Sequence, residues 1–183
     1  MLMLVLIAIS ALLAWGVFAY NRLIRLRNQS RTAWADIDVQ LQRRHDLVPQ
    51  LVKVVQAYAG HEAATLQAVT ELRSQAMGLK QPGQIGEVEA SLEHALGRLI
   101  ALKESYPDLK ANQNFAQLQG ELVKVEEQLQ YARRFYNGAV RDYNDGMQRF
   151  PDLLVAKMGG FADVAFFQAE ADSRAAVKLD LQP

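Results

Sequence analysis

The residues that could do chemistry are few, and their spacing leaves each catalytic or metal-binding pattern incomplete. The histidines are His45, His61 and His94. His61 opens the run His-Glu-Ala-Ala-Thr, in which Thr65 stands where the zinc motif His-Glu-x-x-His needs its second imidazole. No glutamate lies three residues before any histidine, so the Glu-x-x-His pairs of di-iron bundles are missing too. We predict no metal ligands and expect the three histidines to be solvated.

Neighbouring carboxylates could do acid–base work, but at spacings of one and two residues they point to different faces of a helix. They form three pairs: Asp36 with Asp38, Glu87 with Glu89, and Glu126 with Glu127. We expect these pairs to be solvated. The chain also has no cysteine, no glycine-rich phosphate loop and no Gly-x-Ser-x-Gly elbow. The sequence therefore predicts no catalytic residues, no cofactor and no enzymatic activity.

Charge is balanced overall but unevenly distributed along the chain. The 183 residues include 20 Lys and Arg and 20 Asp and Glu, and all of these follow residue 20. A neutral chain lacks the basic field that nucleic-acid binding uses, so we predict no nucleic-acid partner. Residues 1–20 are nearly all apolar, and as a helix they would cover about 30 Å, the thickness of a bilayer's hydrocarbon core. They are predicted to form a transmembrane helix.

Two interpretations of this apolar segment compete. A cleaved secretory signal needs a basic start and a shorter apolar core, whereas here no Lys or Arg precedes the run and bulky residues continue it. A retained single-pass anchor fits better, and its predicted membrane-interface residues are Trp15, Tyr20, Arg22, Arg25 and Arg27. Because arginines stay on the cytoplasmic side, we expect the N-terminus outside and the rest of the chain in the cytoplasm. The same arginines could contact lipid headgroups.

From residue 21 onward, apolar residues recur every three or four positions, as in helices of coiled coils and four-helix bundles. We call each such row of apolar residues along one helix face a seam. The first seam runs through Pro49, where either one long helix is kinked or the chain reverses. Reversal would give four helices at about 21–45, 47–78, 84–105 and 112–149. The predicted fold class is all-α: an N-terminal transmembrane helix that continues into an up-and-down antiparallel four-helix bundle.

The predicted organisation has three parts. Residues 1–20 form the anchor, residues 21–158 the helical bundle, and residues 159–183 a C-terminal tail that is a short helix or a flexible end. Within the bundle, one seam position is charged: Arg44 would be a costly buried charge unless it is paired, with Asp46, Asp38 or Asn137 as candidate partners. Alternatively, Arg44 extends to solvent beside Arg43.

From the charged seam position we derive a hypothesis about helix register. A polar layer in the bundle would fix the register of the helices or contact a partner, and its predicted members are Arg43, Arg44, Asp46, Tyr136 and Asn137. A second polar feature is the segment Tyr106–Phe115, which either docks a partner or merely closes the seams of the adjacent helices.

Three motifs occur in order along the chain. They are Trp34–Val52 (WADIDVQLQRRHDLVPQLV), Tyr106–Phe115 (YPDLKANQNF), and Ala132–Asn137 (ARRFYN) with the following Tyr143 and Asn144. Together they resemble the LemA family of bacterial membrane proteins, from Tyr20 to about Phe167. The resemblance implies a membrane helix followed by a four-helix bundle, which favours a reversal at Pro49. It implies no reaction; it links the chain to envelope functions, to the neighbourhood of membrane metalloproteases and to a relative in magnetosome membranes.

The predicted function is a non-enzymatic, membrane-anchored helical scaffold or adaptor at the cytoplasmic face of the bacterial cytoplasmic (inner) membrane. It would regulate or cluster envelope proteins such as a membrane protease. The expected partners are membrane lipids, other membrane proteins and a second copy of the chain in a homo-oligomer. The alternatives are a membrane-attached sensor and an enzyme with a cryptic site in the bundle.

Overall fold

A computed structural model describes residues 1–79 and 81–167, and within these ranges every regular element is a helix. The helices are α1 (Leu2–Tyr58), α2 (Ala63–Gly78), α3 (Pro82–Ala101), α4 (Pro107–Ala111), α5 (Gln113–Gln148) and α6 (Asp152–Met158). One turn of 3-10 helix (Leu102–Glu104) extends α3. The predicted all-α class is confirmed for the described residues.

The first helix is continuous from Leu2 to Tyr58, so the predicted passage of the apolar segment into the first polar helix without a break is confirmed. The reversal at Pro49 that the family resemblance favoured is wrong, because Pro49 lies inside α1. The chain leaves the helix only after Tyr58, and α2 begins at Ala63. Pro49 is compatible with the helix because proline removes a single N–H. The carbonyl that this N–H would have reached, that of His45, accepts a hydrogen bond from Arg73 instead.

The chain divides into two compact units, which are described separately. Unit 1 comprises Met1–Val39 and Gln130–Phe166; unit 2 comprises Gln40–Leu129 and Phe167. Both α1 and α5 contribute residues to each unit. The division into anchor, bundle and tail at residues 20 and 158 stays a prediction.

Unit 2 is organised around one apolar cluster that draws on α1, α2, α3 and α5, with Leu109 from α4. The seams predicted from the three- and four-residue spacing supply most of it. From α1 come Val48, Leu51 and Val55; from α3 Leu92, Ala95 and Leu99; and from α5 Phe115, Leu122 and Val125. Burying such side chains contributes about 1.5–3 kcal/mol each, so this cluster is the main source of stability in unit 2.

Unit 1 contains the apolar start of α1 and a smaller core. Within residues 1–20 most side chains are exposed, and the segment is long and apolar enough to cross a membrane. A core helix of a soluble protein would be buried instead, so this helix indicates association with a membrane. Further along, Leu23 packs with Tyr143, Met147 and Ala156, and Phe161 and Val164 cover the cluster.

After α6 the chain continues without regular structure along α5. Side chains of α5 hold this segment, residues 161–166, through its backbone. The Tyr136 hydroxyl donates to the carbonyl oxygen of Ala165 (2.8 Å) and the Tyr143 hydroxyl to that of Ala162 (3.1 Å). The Asn144 amide donates to the Val164 oxygen (2.9 Å) and accepts from the Val164 nitrogen (3.1 Å). We call residues 161–166 the strap; the rest of the predicted tail, residues 168–183, lies outside the described residues.

Candidate functional site

A buried ionic cluster in unit 2 is the strongest concentration of charge in the described interior. Arg44 lies on the buried seam of α1 and is 0% exposed. Its Nη2 donates to Oε2 of Glu89, and its Nη1 donates to Oε2 of Glu126 at 2.8 Å. The guanidinium therefore reaches one carboxylate on α3 and another on α5. We call Arg44, His45, Glu89 and Glu126 the Arg44 cluster.

Glu89 is the centre of this cluster and is also 0% exposed. It lies four residues after Ile85 and three before Leu92, which places it on the buried seam of α3. Its second oxygen, Oε1, is 2.6 Å from Nε2 of His45. Both carboxylate oxygens are thus bonded to side chains of the cluster.

The ionisation of Glu89 follows from these contacts. Burial by itself raises the pKa of a carboxyl, but the hydrogen bond with His45 and the positive charge of Arg44 together outweigh it, so the pKa of Glu89 lies below its usual value of 4.5. Glu89 is therefore a carboxylate at neutral pH, and the Arg44–Glu89 contact is an ion pair. With Glu89 ionised, His45 donates its Nε2 proton to the carboxylate.

The backbone of His45 is tied to α2 as well. Its carbonyl oxygen accepts a hydrogen bond from Nε of Arg73 at 2.7 Å. In an α-helix this carbonyl would accept from the nitrogen four residues later, but that residue is Pro49, which has no N–H. Arg73 thus supplies the donor that Pro49 lacks, and the contact fastens α2 to α1 beside the Arg44 cluster.

The chemistry open to the cluster is limited by its own pairing. A general acid or base needs a free position within hydrogen-bond reach of a substrate. Glu89 has both oxygens in use, and Arg44 has only its Nε without a partner. Within the described residues, no group of three or more His, Cys, Asp or Glu side chains is arranged to hold a metal ion. The arrangement is that of a structural ion-pair network.

Two sequence-based expectations about these residues are wrong. His45 and Glu89 were both expected to be solvated, yet both are buried. A usable signal was present for Glu89, because Ile85 and Leu92 place it on the same face as the apolar seam. Arg44 does not extend to solvent, and its observed partners, Glu89 and Glu126, differ from the three candidates. His61 and His94 are exposed, as expected.

The other members of the predicted polar layer lie in different surroundings. Arg43 and Asp46 are exposed and line a shallow groove of about 360 Å³ with Glu121 and Lys124. Tyr136 belongs to unit 1, where its ring meets Trp34 edge to face at 5.3 Å. Asn137 is half-buried in unit 1. A role of the five residues in fixing register or contacting a partner stays a prediction.

The predicted membrane-interface residues lie at the end of the exposed apolar helix. Trp15 is half-buried and Arg25 is exposed. Tyr20 meets Phe161 edge to face at 5.5 Å, and the guanidinium carbon of Arg27 lies 5.4 Å from the centre of the same ring. Arg22 donates from Nη1 to Oδ2 of Asp152 at 2.7 Å. Three of the five predicted interface residues therefore contact α6 or the strap.

The segment Tyr106–Phe115 is held by internal contacts. The Tyr106 hydroxyl donates to Oε1 of Glu62 at 3.1 Å, and the Asn112 amide donates to the Tyr58 hydroxyl at 2.9 Å. Oδ1 of Asn112 accepts from the Phe115 nitrogen at 2.9 Å, which caps the start of α5. Leu109 and Phe115 are buried. These contacts favour the interpretation in which the segment closes the seams of the adjacent helices.

Comparison with known proteins identifies relatives of this chain. The model of the LemA family matches residues 33–181. The chain is also similar to the magnetosome protein MamQ 2 of Paramagnetospirillum magneticum, at 22% identity over 88% of this chain and 69% of the relative. It is similar to the magnetosome protein MamQ of Magnetospirillum gryphiswaldense, at 21% identity over 91% of this chain and 71% of the relative. Because the family model covers most of its length, the chain belongs to the LemA family.

Proposed function

We propose that this protein is a non-enzymatic scaffold or adaptor, anchored in the membrane by residues 1–20 and acting at the cytoplasmic face. The Arg44 cluster is the observation that supports a binding role over catalysis. Its central carboxylate, Glu89, is fully buried and bonds Arg44 and His45 through its two oxygens, so it is not exposed to a substrate. The surface and the anchor are then the parts through which the protein acts.

The anchor is proposed to be retained and to cross the membrane once. In support, α1 continues without a break from the apolar segment into the helix that carries the Arg44 cluster. Four arginines, at positions 22, 25, 27 and 31, follow the apolar segment before any acidic residue. This excess favours the cytoplasm for the residues after the anchor, and the cytoplasmic membrane of a bacterium for the whole protein.

The part that binds is proposed to be a four-helix bundle with coiled-coil-like packing in unit 2. Its apolar cluster already draws on four long helices, α1, α2, α3 and α5. Copies of the chain, or other envelope proteins such as a membrane protease, are the proposed partners. The MamQ relatives are named as magnetosome proteins, and from this name we take only support for an association with a membrane.

The topology is tested with cysteine labelling, for which the absence of native cysteine is an advantage. Val39→Cys and Leu12→Cys variants of the full chain, both at positions exposed in the structure, are treated with a membrane-impermeant maleimide in intact bacteria and in inverted vesicles. We expect Val39→Cys to react only in inverted vesicles, whereas Leu12→Cys, which would lie inside the bilayer, should react in neither. The intact mass should include residues 1–20. Labelling of Val39→Cys in intact cells, or a mass lacking the apolar segment, contradicts the proposal.

A further inference from the structure

Three large apolar side chains at and near α6 are exposed beside the end of the anchor. Phe150 is 81% exposed, Leu154 52% and Met158 90%. Leu154 and Met158 are four residues apart and so share one face of α6. The opposite face packs inward through Val155 and Ala156. A short helix with one face in the core of unit 1 and two large apolar side chains beside Lys157 on its outer face requires an explanation.

The antiparallel packing of α1 and α5 in unit 1 shows which residues of α1 lie at the same level as Phe150. Trp34 contacts Tyr136. Ten residues further along α5, Gly146 lies so close to α1 that an added Cβ would be 2.9 Å from Leu26 and 3.7 Å from Leu23. Continuing this register to the last residue of α5, Gln148, places the end of that helix about level with Arg22, and Phe150 follows two residues later in the turn before α6.

Both ends of α6 are tied to the same stretch of α1. Asp152, at its start, accepts from Arg22 at 2.7 Å. Phe161, just after its end, contacts Tyr20 and Arg27 at 5.5 and 5.4 Å. The stretch from Tyr20 to Arg27 rises only about 10 Å along the helix axis. All of α6 is thus held within about 10 Å of the level at which the apolar segment ends, a depth comparable to the headgroup region of a bilayer.

We propose that Phe150, Leu154 and Met158 form a second membrane contact, which lies in the interface of the bilayer beside the anchor. This inference depends on the proposed membrane insertion of residues 1–20. The apolar outer face would be covered by the acyl-chain boundary, as in helices that lie in the plane of the interface. The charged neighbours fit an anionic lipid surface, since Arg25, Arg149 and Lys157 are all exposed.

A lipid surface explains the exposed face better than a protein partner does. The exposed apolar side chains lie close to the level at which the apolar segment ends. A membrane that holds residues 1–20 would therefore reach α6 without a partner protein. The strap and the Arg22–Asp152 ion pair then have a purpose: they fix α6 at the depth where its exposed face meets the acyl chains. With two contacts, unit 1 would be fixed in tilt as well as in depth.

The test measures depth in the bilayer with single-cysteine variants of the full chain: Leu12→Cys in the anchor, Leu154→Cys and Met158→Cys on α6, and Val39→Cys as the control. Val39 is about as exposed as Leu154 and lies about 28 Å beyond Tyr20 along α1. Each variant carries the fluorophore NBD and is reconstituted in vesicles of phosphatidylcholine and phosphatidylglycerol. One preparation of vesicles contains a lipid with a quencher near the top of its acyl chain, for the probes on α6, and a second contains a quencher deeper in the chain, for the probe at Leu12→Cys.

We expect the probes at positions 154 and 158 to be quenched about twofold or more above the probe at Val39→Cys, as for a helix lying in the interface. If the probe at Leu12→Cys is quenched while those on α6 match Val39→Cys, the anchor stands and the second contact is refuted. If the probe at Leu12→Cys is not quenched either, the anchor proposal fails and the second contact fails with it. Far-UV circular dichroism of each variant checks that the helices are intact.

Discussion

Arg73 donates a hydrogen bond from its Nε to the carbonyl oxygen of His45, 2.7 Å away, and so replaces the N–H that Pro49 cannot provide. A proline in a helix interior normally costs about 3 kcal/mol, partly because one carbonyl loses its partner. Here the orphan carbonyl becomes an attachment point for α2. The proline and the arginine should therefore be energetically coupled.

The first prediction is a double-mutant cycle on this pair. Arg73→Met in the natural sequence leaves the His45 carbonyl without a donor and should lower the free energy of unfolding by about 1–3 kcal/mol. In a Pro49→Ala background the restored backbone N–H can serve that carbonyl, so the same substitution should cost less than about 1 kcal/mol. Urea unfolding of the full chain in mild detergent, followed by circular dichroism, measures both. Equal costs in the two backgrounds would show that the Arg73 contact is independent of Pro49.

The second prediction concerns acid stability. Because the pKa of Glu89 is lower in the folded protein than its usual 4.5, the ionised carboxylate stabilises the fold at pH values above about 4.5. This stabilisation is lost as the pH falls below 4.5 and through the lowered pKa. Glu89→Gln should lower the stability at pH 7 by about 3 kcal/mol, since Arg44 loses its buried counter-charge.

The measurement for Glu89 is unfolding at a series of pH values from 7 to about 3. The difference in stability between the natural chain and Glu89→Gln should shrink as the pH falls through this range. Glu87→Gln, two residues away and exposed, is the control and should change little. A constant difference at every pH would mean that the pKa of Glu89 is the same in the folded and unfolded states.

The third prediction separates charge burial from helix register. Arg44→Leu alone leaves Glu89 as an unpaired buried carboxylate and should cost about 3–5 kcal/mol. Arg44→Leu with Glu89→Leu removes both charges and should recover most of this loss. If the pair also fixes register, the double variant keeps its helicity but unfolds over a broader range of temperature. A sharp transition at a higher temperature than in the natural chain would contradict a register role.

The fourth prediction concerns the strap. Asn144→Ala removes the donor and the acceptor that hold the backbone of Val164. Hydrogen exchange of the Val164 amide, which donates to Asn144, should speed up by about tenfold, which corresponds to about 1.4 kcal/mol of local stability. Asp142→Ala, exposed on the same helix, is the matched control and should leave the exchange unchanged. Unaltered exchange in Asn144→Ala would mean that Tyr136 and Tyr143 suffice to hold the strap.

Much of the fold could be predicted from the spacing of apolar residues. Seam positions such as Leu51, Leu92 and Leu129 are buried because helix periodicity decides which side chains share a face. The course of the chain at Pro49 could not be predicted locally, since it depends on a donor from Arg73, 28 residues away from His45. The path of the strap could not be predicted from the sequence either. A segment that side chains of another helix hold through its backbone leaves no periodic pattern of apolar residues.

The Arg44 cluster could also be predicted only in part. The charged seam position was visible, and the need for a counter-charge followed from the cost of burying it. The spacing of Glu89 from Glu87 hides its role, whereas its spacing from Ile85 and Leu92 places it on the buried seam. Which carboxylate meets Arg44 depends on how three helices pack, and the spacing of residues along the chain does not reveal that packing.

We propose that the protein acts by binding at a membrane and that the Arg44 cluster is structural. Its most direct test is purification of the full chain from bacterial membranes in mild detergent, with mass measurement and identification of the proteins that co-elute. We expect a stoichiometric complex, with further copies of the chain or with other membrane proteins, and the same complex from a folded Arg44→Leu, Glu89→Leu variant. A lone monomer, or a complex lost in the folded variant, would contradict it.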